Sequence, residues 1–258
     1  MIDQRRDGHI HTPFCPHGTQ DEFELYVQAA IRCGRREISF TEHFPMPKGV
    51  TTKAFQEECA LNEKMVLPYI EAVAMVKEKY KHIIKINIGF EIDYIEEKEA
   101  EIKQLLNKYG EQIEDSLLSV HFVKYEEKYY AIDYLPEFEK LLEVVGSIEK
   151  IYDIYFTTVL KSIKSDLGKF KPIRIGHPTL VRIFNRKYPC DYKNYKLIEE
   201  IVAEIVKRDY EIDYNVAGLR KPFCQEIYPT GKLLDLAKIH KVRMIYGTDA
   251  HKSEDVKA

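Results

Sequence analysis

The segment "RDGHIHTPFCPHG" (6–18) holds His9, His11 and His17, three of the nine histidines in the chain. His9 and His11 flank Ile10, and in an extended strand residues two apart point to the same face. That spacing lets both imidazoles reach one metal ion. A lone histidine at a strand end is more often a hydrogen-bonded structural residue, but here the placement recurs. His43, His121, His177 and His251 each close an apolar segment, and Glu91 and Asp249 sit in the segment ends "GFEID" and "GTDAH". Seven imidazoles and two carboxylates, nine side chains in all, form a donor set suited to zinc, iron or manganese. His82 and His240 stand outside the pattern and are read as structural.

These side chains must be brought together by the elements that carry them. "RDGHIH" (6–11), "EISFTEH" (37–43), "KINIGFEID" (85–93), "DSLLSVHFV" (115–123), "PIRIGHP" (172–178), "YEIDYNVAGL" (210–219) and "RMIYGTDAH" (243–251) are short and rich in β-branched and aromatic residues, and are predicted as strands. Helical spacing lies between them: Phe23, Val27, Ala30 and Ile31 mark one apolar face, and Leu197, Ile198, Ile201, Val202, Ile205 and Val206 another. Gly34, Gly110 and Gly146 fall where helices should end or bend. Residues 44–67 form a long insertion, and 136–165 should hold two helices or one bent one.

Seven strands alternating with helices imply parallel pairing through right-handed crossovers, and hence an α/β fold closed into a (β/α)7 barrel spanning residues 1–258 as one domain. In such barrels the carboxyl ends of the strands carry the site. The histidines therefore meet at one mouth of one barrel.

Composition narrows the partner. The chain has 258 residues, 45% hydrophobic, and 39 basic against 42 acidic residues spread along its length. Neither nucleic acid nor an anionic membrane finds an electrostatic footprint there, so a small molecule is expected. No apolar run approaches a membrane span, and "MIDQRRDG" lacks a secretory core, so the expected compartment is the cytoplasm. Cys15, Cys33, Cys59, Cys190 and Cys224 are odd in number and widely spaced, which points to reduced thiols, with Cys15 read as packing rather than as a nucleophile.

Taken in order, "DGHIHTPFCPHG", "ISFTEHFPMP", "GFEIDY", "SVHF", "RIGHPTLVRIF", "YNVAGLRKP" and "YGTDAHKSEDV" resemble the polymerase and histidinol phosphatase superfamily, and within it the histidinol-phosphate phosphatases. The resemblance implies a distorted seven-stranded barrel with three divalent metals. His9, His11, Glu91 and Asp249 would bind the first, Glu91 would bridge to a second held by His121 and His177, and His17, His43 and His251 would hold the third. It further implies hydrolysis of L-histidinol phosphate, a step of histidine biosynthesis, by hydroxide bridging two metals, with Glu91 and Asp249 as catalytic carboxylates and Asp249 a candidate proton relay. It also implies a closing helix beyond the last strand. The chain stops at "HKSEDVKA", so that helix is expected to be missing.

Three residues are candidates for the substrate. Arg182, five residues past His177, and Arg220, after the sixth predicted strand, could grip the phosphate through a planar guanidinium. Either could instead pair with a surface carboxylate. Glu42 neighbours His43 and should point to the opposite face, leaving an ion pair with a helix and contact with the substrate's amine both open. Another phosphate ester (a nucleotide, a phosphotyrosine protein, a nucleic-acid end) or an amide substrate would use the same metal residues.

Overall fold

The computed structural model describes residues 2–257. In chain order its elements are β1 (Arg6–Ile10), α1 (Phe23–Arg32), β2 (Glu37–His43), α2 (Lys53–Cys59), α3 (Val66–Tyr80), β3 (Lys85–Asp93), α4 (Glu99–Tyr109) and β4 (Leu117–Ser119). There follow β5 (Phe122–Tyr125), β6 (Lys128–Ala131), α5 (Leu135–Val145), α6 (Ile148–Lys164), β7 (Arg174–Ile175), α7 (Tyr195–Lys207), β8 (Glu211–Asn215), α8 (Gly231–Ile239) and β9 (Met244–Gly247). Seven of the strands pair in parallel in the order β1-β2-β3-β4-β7-β8-β9. The ring closes at its carboxyl rim, where Asp249 N donates to His9 O at 2.7 Å and His11 N to Ala250 O at 3.0 Å. The result is a distorted (β/α)7 barrel.

The central strands of the barrel are buried on both faces, and period two sorts their residues. In β3, Ile86, Ile88, Phe90 and Ile92 alternate with Asn87, Gly89, Glu91 and Asp93. The apolar set meets the helices: Phe90 lies 4.8 Å from the Tyr69 ring of α3, and Phe40 of β2 packs edge-on against Phe23 of α1 at 5.1 Å. Burying one such side chain contributes about 1.5–3 kcal/mol. The polar set fills the barrel, where its groups must satisfy one another. At the amino-terminal end Asp115 takes Arg174 at 3.1 Å, Arg6 at 2.9 Å and the Ser39 hydroxyl.

Several predicted strands are shorter than expected, because their ends turn to aim side chains inward. The fourth stops at Ser119, and the chain resumes as an unanticipated antiparallel hairpin, β5–β6, with His121 in the break. The fifth shrinks to two residues before His177, which adopts φ +21°. The sixth ends at Asn215 and passes into a 3-10 turn, Ala217–Arg220; the last ends at Gly247, and Asp249 takes φ +51°. Residues 136–165 form two helices, separated by Gly146 at φ +73° and by Ser147, whose hydroxyl caps α6 through Lys150 N. Beyond β9 the described chain ends in a 3-10 turn, Ser253–Lys257, which packs on α1 and buries Val256. Among the described residues no helix is long and apolar enough to cross a membrane.

Candidate metal centre

Glu91, at the end of β3, is the centre of the site. Its Oε1 lies 2.8 Å from His177 Nε2 and 3.6 Å from His121 Nε2, and accepts from the Ser119 hydroxyl at 2.7 Å. Its Oε2 lies 3.4 Å from His9 Nε2, His11 Nε2 and His43 Nδ1 alike. One carboxylate thus divides the imidazoles into two groups. Asp249 closes the other side, its Oδ1 at 3.3 Å from His11 Nε2, 3.7 Å from His9 Nε2 and 3.5 Å from His251 Nδ1. His17 stands at the rim with Nε2 3.0 Å from His251 Nε2. All nine side chains converge, and His82 and His240 lie elsewhere, each outside the cavity described below.

The rings are fixed from behind. His9 Nδ1 meets Asp213 Oδ2 at 2.8 Å, His121 Nδ1 meets Asp93 Oδ1 at 2.6 Å, and His17 Nδ1 donates to Glu58 O at 2.8 Å. Bonding at Nδ1 leaves Nε2 as the lone-pair donor and sets the ring's angle. Asp93 and Asp213 were not among the sequence candidates, although period two was a signal for both: Asp93 follows Glu91 by two, and Asp213 precedes Asn215 by two in "EIDYN".

Electrostatics of the cluster favour a cation. Burial pushes the imidazoles of His9 and His121 toward neutrality, but the surrounding carboxylates outweigh it, holding His9 up at about 10 and His121 well above the usual imidazole range. Burial also opposes charge on Glu91 and Asp249, yet the histidines hold both well below the usual carboxylate range. His43 and His251 are driven the other way, first by burial and then by positive charge on His11.

The orphaned atoms fit the same demand. His9 Nε2, His11 Nε2 and both ring nitrogens of His43 are buried without a hydrogen-bond partner. Such atoms cost free energy unless something pairs with them, and imidazole, once neutral, with carboxylate is the donor set of zinc, iron or manganese. Potential ligand atoms of His9, His11 and Asp249 lie within 4.8 Å of one another, as do those of Glu91, His121 and His177, and those of His11, Cys15, His43 and His251. Cys15 is buried as expected of packing, and it also faces this last group.

The substrate candidates separate. Glu42 does point away from the His43 side, but it contacts neither a helix cation nor the cavity. It is fully buried, accepting from Thr12 N at 3.1 Å, the Thr12 hydroxyl at 2.5 Å and His43 N at 2.9 Å, with His11 Nδ1 at 3.4 Å. Glu42 therefore joins the segments that carry His11 and His43, and it does not line the cavity described below. For Arg182 the structure shows the carboxylate pairing. Its guanidinium grips Glu226 through two bonds of 2.6 and 2.8 Å and lines a different cavity with Tyr152, Phe156 and Tyr192. Arg220 does line the metal-site cavity, of about 450 Å³, where Nη2 donates to Thr248 O at 2.7 Å and Nε lies 3.4 Å from Asp255 Oδ2.

A family model for the PHP domain matches residues 7–217. The chain belongs to the PHP domain family. The histidinol-phosphatase of Bacillus subtilis is 38% identical over 98% of this chain and 96% of its own. A solved Listeria monocytogenes structure superposes with a TM-score of 0.93 at 35% identity, covering 97% of this chain and 96% of that one. A Lactococcus lactis histidinol phosphate phosphatase, solved with zinc, L-histidinol and phosphate, shares the fold at a TM-score of 0.68 and 20% identity, covering 98% of this chain and 90% of its own.

Proposed function

We propose that this chain is a metal-dependent phosphomonoesterase that hydrolyses L-histidinol phosphate to L-histidinol and inorganic phosphate. The observation that carries this reading is one cavity in which His17, His43, Glu91, His121, His177, Asp249 and His251 face Arg220. The Bacillus relative, aligned over nearly the whole chain, supports the choice of substrate.

In this reading His9, His11, Glu91 and Asp249 hold one divalent ion, Glu91, His121 and His177 a second, and His17, His43 and His251 a third, each zinc, iron or manganese. Such ions, when bound, lower the pKa of water and offset negative charge on phosphoryl oxygens. In the reaction the oxygen of water bonds to phosphorus, the bond from phosphorus to the alcohol oxygen breaks, and the departing alkoxide takes up a proton. Asp249, 3.3 Å from His11 Nε2, would take the proton released by the attacking water and pass it to the alkoxide. Arg220 keeps Nη1 without a partner among the described residues, which leaves that nitrogen to donate to a phosphoryl oxygen. The partner is a small phosphate ester rather than nucleic acid or membrane, and we place the reaction in the cytoplasm.

The test is phosphate release from L-histidinol phosphate, a nucleoside monophosphate, a phosphotyrosine peptide and p-nitrophenyl phosphate. A kcat/KM higher by roughly a hundredfold or more for L-histidinol phosphate is expected, the scale of discrimination available to a site that pairs a substrate's polar groups. A preference for any other member of the panel rejects the substrate but keeps the phosphatase.

A further inference from the structure

The cavity lining carries charges of both signs. Arg220, Lys221 and Lys252, which follow β8 and β9, supply its cations, with Asp255 beside Arg220 and Lys252. Phe122, which begins β5, and Asp133, which follows β6, line the same cavity, with Leu180 and Ile183 adding apolar surface. A phosphate ester that enters this space shares it with the cations and with the hairpin residues.

Five carboxylates line the cavity: Glu91, Asp93, Asp133, Asp249 and Asp255. Four have work already. Glu91 and Asp249 face the imidazoles, Asp93 holds His121 at 2.6 Å, and Asp255 sits 3.4 Å from Arg220 and 3.8 Å from Lys252. Asp133 alone among them makes no hydrogen bond or ion pair with the described residues, and it is exposed. Its backbone is nonetheless anchored: the neighbouring Ile132 N donates to His121 O at 2.7 Å, which ties the end of the hairpin to a ligand-bearing segment. An unpaired carboxylate on a fixed backbone, lining the same cavity as Arg220, is suited to a cationic group carried by a phosphate ester.

We infer that Asp133 is the specificity-determining residue that receives the ammonium group of an amino-alkyl phosphate substrate. This rests on the phosphatase reading above and assigns the amine contact to Asp133, which lines the cavity as Glu42 does not. An ammonium donates up to three hydrogen bonds, and a carboxylate offers both charge and acceptors, so the pairing is charge-assisted. Phosphomonoesters without a cation gain nothing from it. Asp133 acts on discrimination between substrates, not on the phosphorus.

The test compares L-histidinol phosphate with its deamino analogue, imidazolylpropyl phosphate, in the metal-loaded wild-type protein and in Asp133→Asn and Asp133→Glu. The readout is the ratio of the two kcat/KM values. The ratio should fall roughly tenfold or more in Asp133→Asn, through KM for the amine substrate, as expected for the loss of one charge-assisted hydrogen bond. Asp133→Glu should recover part of it. An unchanged ratio in Asp133→Asn, with an active wild type, overturns the role of Asp133 and leaves the phosphatase reading standing. A wild-type protein that releases no phosphate from L-histidinol phosphate overturns both.

Discussion

His9 Nδ1 lies 2.8 Å from Asp213 Oδ2, and both residues are fully buried. Asn215 Nδ2 donates to the same carboxylate oxygen at 3.0 Å and to Asp249 Oδ2 at 3.1 Å. A carboxylate behind the ring thus orients His9 and is linked through one amide to the acid on the other side of the site. Removing it frees the ring and leaves His9 without its partner.

Asp213→Ala should accordingly weaken metal retention by about 10- to 100-fold, the usual cost of losing a partner behind a metal-ligating histidine. Competition with a chelator of known affinity measures it. Wild-type retention in the variant rejects a positioning role for Asp213.

The same cluster predicts pH dependence. A metal must displace the proton that the carboxylates hold on His9, whose pKa is raised to about 10. Below that value the proton competes with the metal, so apparent affinity should rise with pH by up to about tenfold per unit for each proton displaced. Metal titrations at several pH values, corrected for the chelator's own protonation, check this. Affinity that falls as pH rises contradicts it.

The two arginines should part company. Arg220→Ala should cost roughly 3 kcal/mol of transition-state stabilisation with metal content unchanged, and Arg220→Lys should recover it only in part. Arg182→Ala should instead act on stability, because it leaves Glu226, 27% exposed, without its bidentate partner. Paired kcat/KM and thermal unfolding measurements separate the two effects. A large kcat loss in a stably folded Arg182→Ala protein would return that residue to the site.

Gly176 tests the packing behind Glu91. A Cβ there would lie 1.9 Å from Ser119 Oγ, the hydroxyl that donates to Glu91 at 2.7 Å. Gly176→Ala should therefore push Ser119 off Glu91 and destabilise the fold by about 1–3 kcal/mol, with activity falling as well. Unfolding midpoints and metal content follow the two consequences. Native values for both would show that the strand end gives way without disturbing the carboxylate.

The convergence of His9, His43, Glu91, His177 and Asp249 was legible in the sequence because residue type and position coincide there: histidine or acid at the end of an apolar run. The β5–β6 hairpin was not, since its turn lacks the usual Gly or Asn and instead carries Glu126 at φ +53°. Asp133 was hidden with it. The Arg182 pairing was not legible because its partner Glu226 lies 44 residues on, at a distance no local spacing encodes. The backbone donors of Thr12 and His43 that occupy Glu42 belong to the fold, and no local spacing announces them.

The most direct measurement of the central claim is metal-dependent phosphate release. Protein stripped by a chelator and dialysed is assayed with L-histidinol phosphate while manganese, zinc or iron is added back and bound metal is counted by elemental analysis. The account predicts no turnover in the stripped protein and recovery that saturates as the His9–Glu91–Asp249, His121–His177 and His17–His43–His251 positions fill. Full turnover in protein shown to hold no metal would contradict it.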